Sequence, residues 1–242
     1  MDIGGSGIKG CLVDLDQGRL IGERLRIETP QPSLPELVYD VVADIVGGFG
    51  WAGRIGVTFP GVMKAGVAHT AANVDKSWIG TDVDAGLSRL IPGSVATLND
   101  ADAAGLAEMR YGAGRDRNGV VLMLTFGTGI GSALFVDGRL VPNTEFGHIQ
   151  VDGEDGERRA SAAAREREEL GYPEWARRVD RYLDVLEAGL WPDLIIVGGG
   201  VSKKAHKWVP LLSTRTPVVP AELQNDAGIV GAALAAAERP EA

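Results

Sequence analysis

The sequence predicts an α/β protein built from two α/β domains with a cleft between them. Short apolar runs typical of buried strands alternate with segments whose apolar residues recur at helical spacing, as in layered α/β folds. In addition, the order strand, glycine-rich turn, strand occurs twice, around residues 4–7 and around residues 127–129. Two such turns at equivalent places in two halves indicate a duplication, with a phosphate-binding turn in each half.

The composition is that of an ordinary globular protein. Its 242 residues are 45% apolar, which suffices for one large domain or two small ones. A formal net charge of −9 argues against a nucleic-acid partner, because basic surfaces supply most of the affinity for nucleic acids. The single cysteine, Cys11, excludes an internal disulfide and a thiolate metal cluster. With no membrane-span or signal-peptide pattern, we expect a cytoplasmic protein with no membrane partner.

The first half opens with predicted antiparallel strands on either side of a turn at residues 16–18. The glycines that precede them would weaken a strand, so they predict a turn whose N–H groups approach an anion, helped by a hydroxyl and a lysine. An ordinary glycine hairpin is the alternative. The predicted anion site comprises Gly4, Gly5, Ser6, Gly7 and Lys9. After a proline-rich break, a helix is predicted at 37–46.

A buried strand is predicted at 54–59 and is closed by a turn at Gly61. The polar segment 66–80 follows. Loops of this length commonly line binding sites, so Asn73 and Trp78 are candidates for a ligand pocket. An exposed loop anchored by one tryptophan explains the same composition equally well.

A predicted strand at 94–98 ends in Asn99 and Asp100, and a helix at 101–111 follows directly. In open α/β sheets, ligands bind at the carboxyl ends of strands. An aspartate there can accept a hydroxyl proton while the asparagine, with a donor and an acceptor, holds the same substrate. We therefore expect Asp100 to be a general base. The alternative is that it only caps the helix.

The second half begins near residues 111–115, a glycine- and charge-rich stretch typical of an inter-domain hinge. A strand at 120–126 leads into Gly127, Thr128 and Gly129, and a strand resumes at 132–136, repeating the pattern of the first half. We expect a first domain of residues 1–111, completed by a C-terminal helix at 226–242, and a second domain of residues 112–225.

Glu145 and His148 lie three residues apart around Gly147. Such a pair can accept and donate hydrogen bonds to the vicinal hydroxyls of a sugar. A zinc ion would also use His148, but zinc needs three or four ligands, and the polar residues that follow closely include no cysteine or histidine. We expect no zinc site.

The rest of the chain continues the alternation of helix and strand. An amphipathic helix at 175–190 precedes a buried strand at 193–197. A short strand at 217–220 then precedes an alanine-rich helix that begins at 226.

A third glycine turn follows the strand at 193–197. Gly199 and Gly200 are followed by Lys203 and Lys204, a combination that suits the tail of an anionic phosphoryl donor. Solvated lysines are the alternative.

Taken in order, these motifs resemble those of the ROK family of sugar kinases and repressors, within the actin/hexokinase-like superfamily, and in particular its polyphosphate-using branch. Their order is more specific than any single motif, and together they span nearly the whole chain. The resemblance is carried by residues 2–9, 99–102, 124–131, 145–148, 157–161 and 196–204.

The resemblance implies a ribonuclease H-like fold and phosphoryl transfer from inorganic polyphosphate, or from ATP, to the 6-hydroxyl of glucose. It also implies a Mg²⁺ cofactor, held through Asp2 and Asp100, and a homodimer. Asp100 is the implied base. The implied sugar ligands are Asn99, Glu145, His148 and Glu157, and the turn and loop of the first half add Gly61 and Asn73 as candidates. The resemblance assigns the donor phosphates to the first two glycine turns. With the residues read from the sequence, the expected donor-phosphate residues are Asp2, Gly4, Gly5, Ser6, Gly7, Lys9, Gly127, Thr128, Gly129, Gly199, Gly200, Lys203 and Lys204.

Other functions stay open at this point. An ATP-dependent hexose kinase of the same family and a sugar-binding homologue without turnover both fit the motifs. A repressor is disfavoured because no helix-turn-helix pattern precedes the kinase region, and a dinucleotide-dependent oxidoreductase because the turn at 198–200 lacks the required glycine spacing. A basic track suits polyphosphate as donor; it comprises Lys9, Lys76, Lys203, Lys204 and Lys207.

Overall fold

The computed structural model describes residues 1–239, and these form two compact units. The first unit contains Met1–Ala107 and the described residues from Asp226 onward, and the second contains Glu108–Asn225. The last three residues of the helix expected at 226–242 lie outside the described residues. No helix within residues 1–239 is both long enough and apolar enough to cross a membrane.

The first unit is built on a five-stranded sheet in the order β3-β2-β1-β4-β7. Strands β1 to β3 are antiparallel, as predicted, and β4 and β7 run parallel to β1. The strands of this unit are β1 (Asp2–Ile3), β2 (Ile8–Asp14), β3 (Arg19–Ile27), β4 (Ile55–Phe59), the two-stranded hairpin β5 (Met63–Lys64) and β6 (Val67–Ala68), and β7 (Val95–Asn99).

Helices cover this sheet and bury apolar stripes against it. The predicted helix at 37–46 is longer than expected, because Pro35 starts it and Gly50, with a positive φ, ends it. The helices are α1 (Pro35–Phe49), α2 (Val83–Ser88), α3 (Asp100–Tyr111) and α7 (Ala227–Glu238). Helix α7 lies very close to β4, since a Cβ on Gly56 would be 1.8 Å from the carbonyl oxygen of Ala232. Only glycine permits that approach.

The second unit repeats this plan. Its five-stranded sheet has the order β10-β9-β8-β13-β14, again with three antiparallel strands followed by two parallel ones. The equivalent strand orders confirm the predicted duplication. The strands are β8 (Val120–Phe126), β9 (Ile130–Val136), β10 (Arg139–Val141), the small hairpin β11 (Gln150–Val151) and β12 (Glu154–Asp155), β13 (Leu194–Gly198) and β14 (Val218–Pro220).

An aromatic cluster forms the core of the second unit. The rings of Trp175 and Trp208 are 4.9 Å apart, and Phe126, the last residue of β8, contacts both. The helices around this core are α4 (Gly156–Ala160), α5 (Ala162–Arg167) and α6 (Tyr172–Leu190). The indole N–H of Trp175 donates to the carbonyl oxygen of Ala160 at 3.0 Å, which fastens the end of α4 to the core.

The segment 66–80 contains more structure than a plain loop. It completes the β5-β6 hairpin and includes a 3₁₀ turn, Lys76–Trp78. Trp78 does not line a pocket, because it is fully buried, packs edge-on against Tyr39, and donates its indole N–H to the carbonyl oxygen of Ser33. The alternative expectation, that one tryptophan anchors this segment, is correct.

Glu108 is a buried carboxylate near the end of α3. It accepts hydrogen bonds from the backbone N–H groups of Ala113, Glu222 and Leu223 at 2.7–3.1 Å. Since buried N–H groups without an acceptor are costly, this side chain joins the turn after α3 to the segment that follows β14.

We expect Glu108→Gln to lower the free energy of unfolding by about 1–3 kcal/mol, because hydrogen bonds to a charged group are the stronger ones. Glu108→Ala removes the acceptor of three backbone N–H groups and should cost more. Urea unfolding followed by circular dichroism measures both, with Glu174→Gln on the exposed face of α6 as the matched control. Equal midpoints for all three variants would contradict the structural role of Glu108.

Candidate active site

Asn99 caps helix α3. Its Oδ1 accepts the N–H groups of Ala101 and Asp102 at 2.8 and 3.1 Å, and its Nδ2 donates to the carbonyl oxygen of Gly61 at 3.1 Å. The side chain is buried. Asn99 therefore caps α3 through two N–H groups and also joins Gly61 to the end of β7. Asp100 shares one of these N–H groups, that of Ala101, so the alternative role of Asp100 in capping the helix stays open.

Asp100 is the first residue of α3, and it is exposed. Its Oδ1 accepts the N–H group of Ala101 at 2.8 Å. A carboxylate at this position is stabilised by the partial positive charge of the helix N-terminus. The parallel strands β4 and β7 thus present a solvent-accessible carboxylate at their carboxyl ends, where the sequence places the general base.

The first glycine turn connects β1 to β2. The N–H group of Gly4 donates to the carbonyl oxygen of Gly7 at 3.2 Å, which closes the turn. Asp2 stands at its start, accepting the hydroxyl of Thr58 at 2.8 Å and pairing with Lys9 at 3.2 Å. Ser6, at the tip, is exposed.

Asn73 lies against this turn. A Cβ on Gly5 would be 2.5 Å from the backbone oxygen of Asn73 and 2.9 Å from its Cβ. Asn73 is exposed and has a positive φ. Of the two residues added to the sugar site, the structure brings Gly61 to Asn99 and Asn73 to the glycine turn.

In the second unit, Glu157 joins the glycine turn of residues 127–129 to the segment of residues 145–148. Its Oε2 accepts the N–H group of Ile130 at 3.1 Å, and its Oε1 is 3.8 Å from Nδ1 of His148. A Cβ on Gly129 would be 2.3 Å from Oε2 of Glu157, so the glycine leaves room for this carboxylate. Gly127 and Thr128 of the turn are exposed.

Glu145 belongs to the same cluster of side chains. Burial raises the pKa of its carboxyl above the usual value; the charge of His148 acts in the opposite direction and that of Glu157 raises the pKa further. The structure thus brings together three of the four side chains assigned to the sugar, Glu145, His148 and Glu157. The fourth, Asn99, belongs to the first unit.

Asp155 is a member of this cluster that the sequence did not single out. Its Oδ2 is 3.3 Å from Nδ1 of His148, and its Oδ1 accepts from Nε2 of Gln150 at 2.7 Å. The hairpin formed by β11 and β12 places Gln150 opposite Asp155. A carboxylate at Nδ1 orients the imidazole and leaves Nε2 for a ligand. The register of the hairpin is what places Asp155 in this cluster, and the sequence pattern did not predict that register.

The third glycine turn packs on the second. Gly199 has a positive φ, and a Cβ there would be 2.2 Å from the carbonyl oxygen of Phe126, just before the turn of residues 127–129. Gly200 has open space around it. Lys203 and Lys204 follow in a 3₁₀ segment, Gly200–Lys207, and both are exposed.

The remaining lysines of the basic track have local contacts. Lys76 donates to the carbonyl oxygen of Ala71, and Lys207 lies 5.7 Å from the centre of the Tyr172 ring. Within residues 1–239, no three histidine, cysteine or carboxylate side chains are grouped so that they could hold a metal ion.

Comparisons with known proteins agree in pointing to one family. The ROK family profile matches residues 1–163. The polyphosphate glucokinase of Mycobacterium tuberculosis (strain ATCC 25618 / H37Rv) is 58% identical over 236 residues, which cover 97% of this chain and 89% of that protein. The Mycobacterium leprae polyphosphate glucokinase is 55% identical, with 97% and 73% covered.

Solved structures confirm the predicted actin/hexokinase-like fold. The inorganic polyphosphate/ATP-glucomannokinase of Arthrobacter sp. strain KM superimposes with a TM-score of 0.93 at 54% identity, covering 98% of this chain and 96% of that one. A ROK glucokinase from Streptomyces griseus, solved with glucose and AMPPNP, has a TM-score of 0.82 at 24% identity, covers 98% of each chain, and supports the fold alone. This chain belongs to the ROK family.

Proposed function

We propose that this chain is a glucokinase that transfers a phosphoryl group from inorganic polyphosphate, with ATP as a second donor, to the 6-hydroxyl of glucose. The observation that carries the proposal is 58% identity to polyphosphate glucokinases over 97% of the chain. This sequence contains all the polar side chains to which the family resemblance assigns the roles of general base and sugar ligand. Roles are therefore assigned residue by residue.

The acceptor residues suit a polyhydroxylated ring. Carboxylates accept hydrogen bonds from hydroxyl groups, and an imidazole can donate or accept, so Glu145, His148 and Glu157 offer both kinds of partner. Asp155 and the N–H group of Ile130 hold His148 and Glu157 in place before any sugar arrives. Asn99, with both oxygen and nitrogen engaged by backbone groups, positions the end of β7.

Asp100 acts as the general base. As O6 of glucose attacks the terminal phosphorus, the O6–H proton passes to the Asp100 carboxylate and the new O6–P bond forms. The bridging P–O bond to the rest of the donor breaks, and the shortened polyphosphate, or ADP, leaves with the bonding electrons. Such catalysis depends mainly on positioning and on neutralising the moving charge.

The glycine turns serve the donor. Exposed turn residues, Ser6 in the first unit and Thr128 in the second, offer N–H and hydroxyl donors to phosphate oxygens, while the N–H group of Gly127 closes its own turn by donating to the carbonyl oxygen of Gly129 at 2.9 Å. Lys9, Lys203 and Lys204 add positive charge. Because ATP and polyphosphate share only the phosphate chain, a site made of turns and lysines accepts both.

Magnesium is proposed as the counter-ion of the donor. Mg²⁺ is usually held by one or two carboxylates together with substrate phosphates and water, and the partly exposed carboxylate of Asp2 beside the first glycine turn fits that donor set. Asp2 and Asp100 would hold the ion, which would neutralise phosphate charge. A homodimer is proposed from the family resemblance, and a cytoplasmic location from the single cysteine and the sequence pattern.

The first test is glucose 6-phosphate formation by the purified protein, with polyphosphate and ATP supplied at equal phosphoryl concentration. We expect turnover with polyphosphate, and Asp100→Asn should lower kcat roughly a hundredfold or more while glucose still binds. Asp40→Asn, an exposed aspartate on α1, is the matched control.

Near-normal kcat in Asp100→Asn would exclude Asp100 as the base. Turnover with ATP alone would discard polyphosphate as donor, and glucose binding without product would favour the sugar-binding homologue. Mannose belongs in the same assay as a second acceptor, since the Arthrobacter relative is a glucomannokinase.

A second prediction concerns pH. Because burial raises the pKa of Glu145, its ionised form, which accepts the sugar hydroxyl, is lost as the pH falls through that raised value. The KM for glucose should therefore begin to rise at a pH above the ordinary glutamate range of about 4.3. His148→Gln removes the charge that lowers this pKa, so the rise should begin at a higher pH still.

The KM for glucose, measured across pH at saturating donor, checks this order. Glu145→Gln should bind glucose weakly, and its KM for glucose should not rise as the pH falls. Two results would contradict the assignment of Glu145. One is a KM for glucose that still rises at low pH in Glu145→Gln, and the other is a rise that begins at a lower pH in His148→Gln than in the wild type.

A further inference from the structure

A row of charged side chains crosses the first sheet beside the glycine turn of residues 4–7. Strand pairing places Asp2 opposite Lys9, and Lys9 opposite Arg26 on β3. Residues directly opposite each other in antiparallel strands carry their side chains on the same face of the sheet. Lys9 pairs with Asp2 at 3.2 Å. On edge strand β3 the row therefore ends in Arg26, a second cation that lies opposite Lys9.

The guanidinium of Arg26 lies directly on the glycine turn. Its Nη2 donates to the carbonyl oxygen of Ser6 at 3.1 Å, and a Cβ on Gly7 would be 2.8 Å from its Nε. Glycine at position 7 makes room for this group. Arg26 is exposed, and within residues 1–239 it forms no ion pair. Since a guanidinium carries five N–H donors, most of them remain available to an anion.

Two further side chains fix the orientation of the turn. The hydroxyl of Thr29 donates to the carbonyl oxygen of Gly4 at 2.5 Å, and Nε2 of Gln31 donates to that of Gly5 at 3.3 Å. Together with the bond from Arg26 to Ser6, the carbonyl oxygens of three consecutive residues accept hydrogen bonds from side chains of one short segment, residues 26–31. In the described chain, the N–H groups of Gly5, Ser6 and Gly7 donate to no protein acceptor.

We propose that Arg26 binds the phosphoryl donor, holding a phosphate of inorganic polyphosphate beyond the phosphate at the glycine turn. This inference rests on the proposed function. The planar fork of arginine matches two phosphate oxygens at once, and two cations facing each other across strands are unfavourable until an anion lies between them. Polyphosphate carries charge along its whole length, whereas ATP has three phosphates. Arg26 therefore favours polyphosphate over ATP.

The test compares Arg26→Gln with Arg19→Gln. Arg19 lies on the same strand and its side chain is 72% exposed, with only a 3.7 Å pairing to Asp14. We expect Arg26→Gln to raise the KM for polyphosphate about tenfold or more, the usual loss for a hydrogen bond between charged groups. The KM for ATP should rise less and the KM for glucose should stay unchanged. Arg26→Lys should fall between, because it keeps the charge and loses the fork.

A change in the KM for polyphosphate no larger than that of Arg19→Gln would overturn the proposal. So would an equal rise in the KM for glucose with a lowered melting temperature, which would mark Arg26 as structural. Titration calorimetry with polyphosphate alone separates the two proposals. If the wild type binds polyphosphate without turnover and Arg26→Gln does not bind it, the proposed function fails while the assignment of Arg26 stands.

Discussion

The contact between the Glu157 carboxylate and the N–H group of Ile130 organises the candidate site in the second unit. At 3.1 Å it links the first turn of α4 to the glycine turn between β8 and β9. The other carboxylate oxygen lies 3.8 Å from His148. A proposed sugar ligand and a proposed donor turn are thus held by one side chain. The aromatic core supports the arrangement, because Trp175 fastens the far end of α4.

Both glycine turns follow one physical rule, which is that a side-chain atom occupies the space where a Cβ would stand. Glu157 fills that space at Gly129 and the Arg26 guanidinium fills it at Gly7. In each case the incoming group hydrogen-bonds the backbone of the turn or of the residue next to it. The glycines therefore supply more than flexibility. They let a charged side chain approach the backbone that is proposed to hold phosphate.

The two carboxylates with proposed roles lie in different surroundings. Asp100 stands exposed at a helix N-terminus. Burial raises the pKa of Glu145, so its hydrogen bonding to a ligand depends on pH. Asp155 tethers His148 through Nδ1 and leaves Nε2 for a hydroxyl.

The sequence by itself determined the two glycine-turn repeats, the order of the main strands and helices, the family and the carboxylate at the end of β7. Periodicity and turn chemistry are local, so they can be read without a structure. Tertiary structure decided which atoms meet. Asn99 caps α3, Trp78 belongs to the core, Asp155 contacts His148, and Arg26 contacts the first glycine turn. Those contacts depend on strand register and packing between distant segments, which no local pattern encodes.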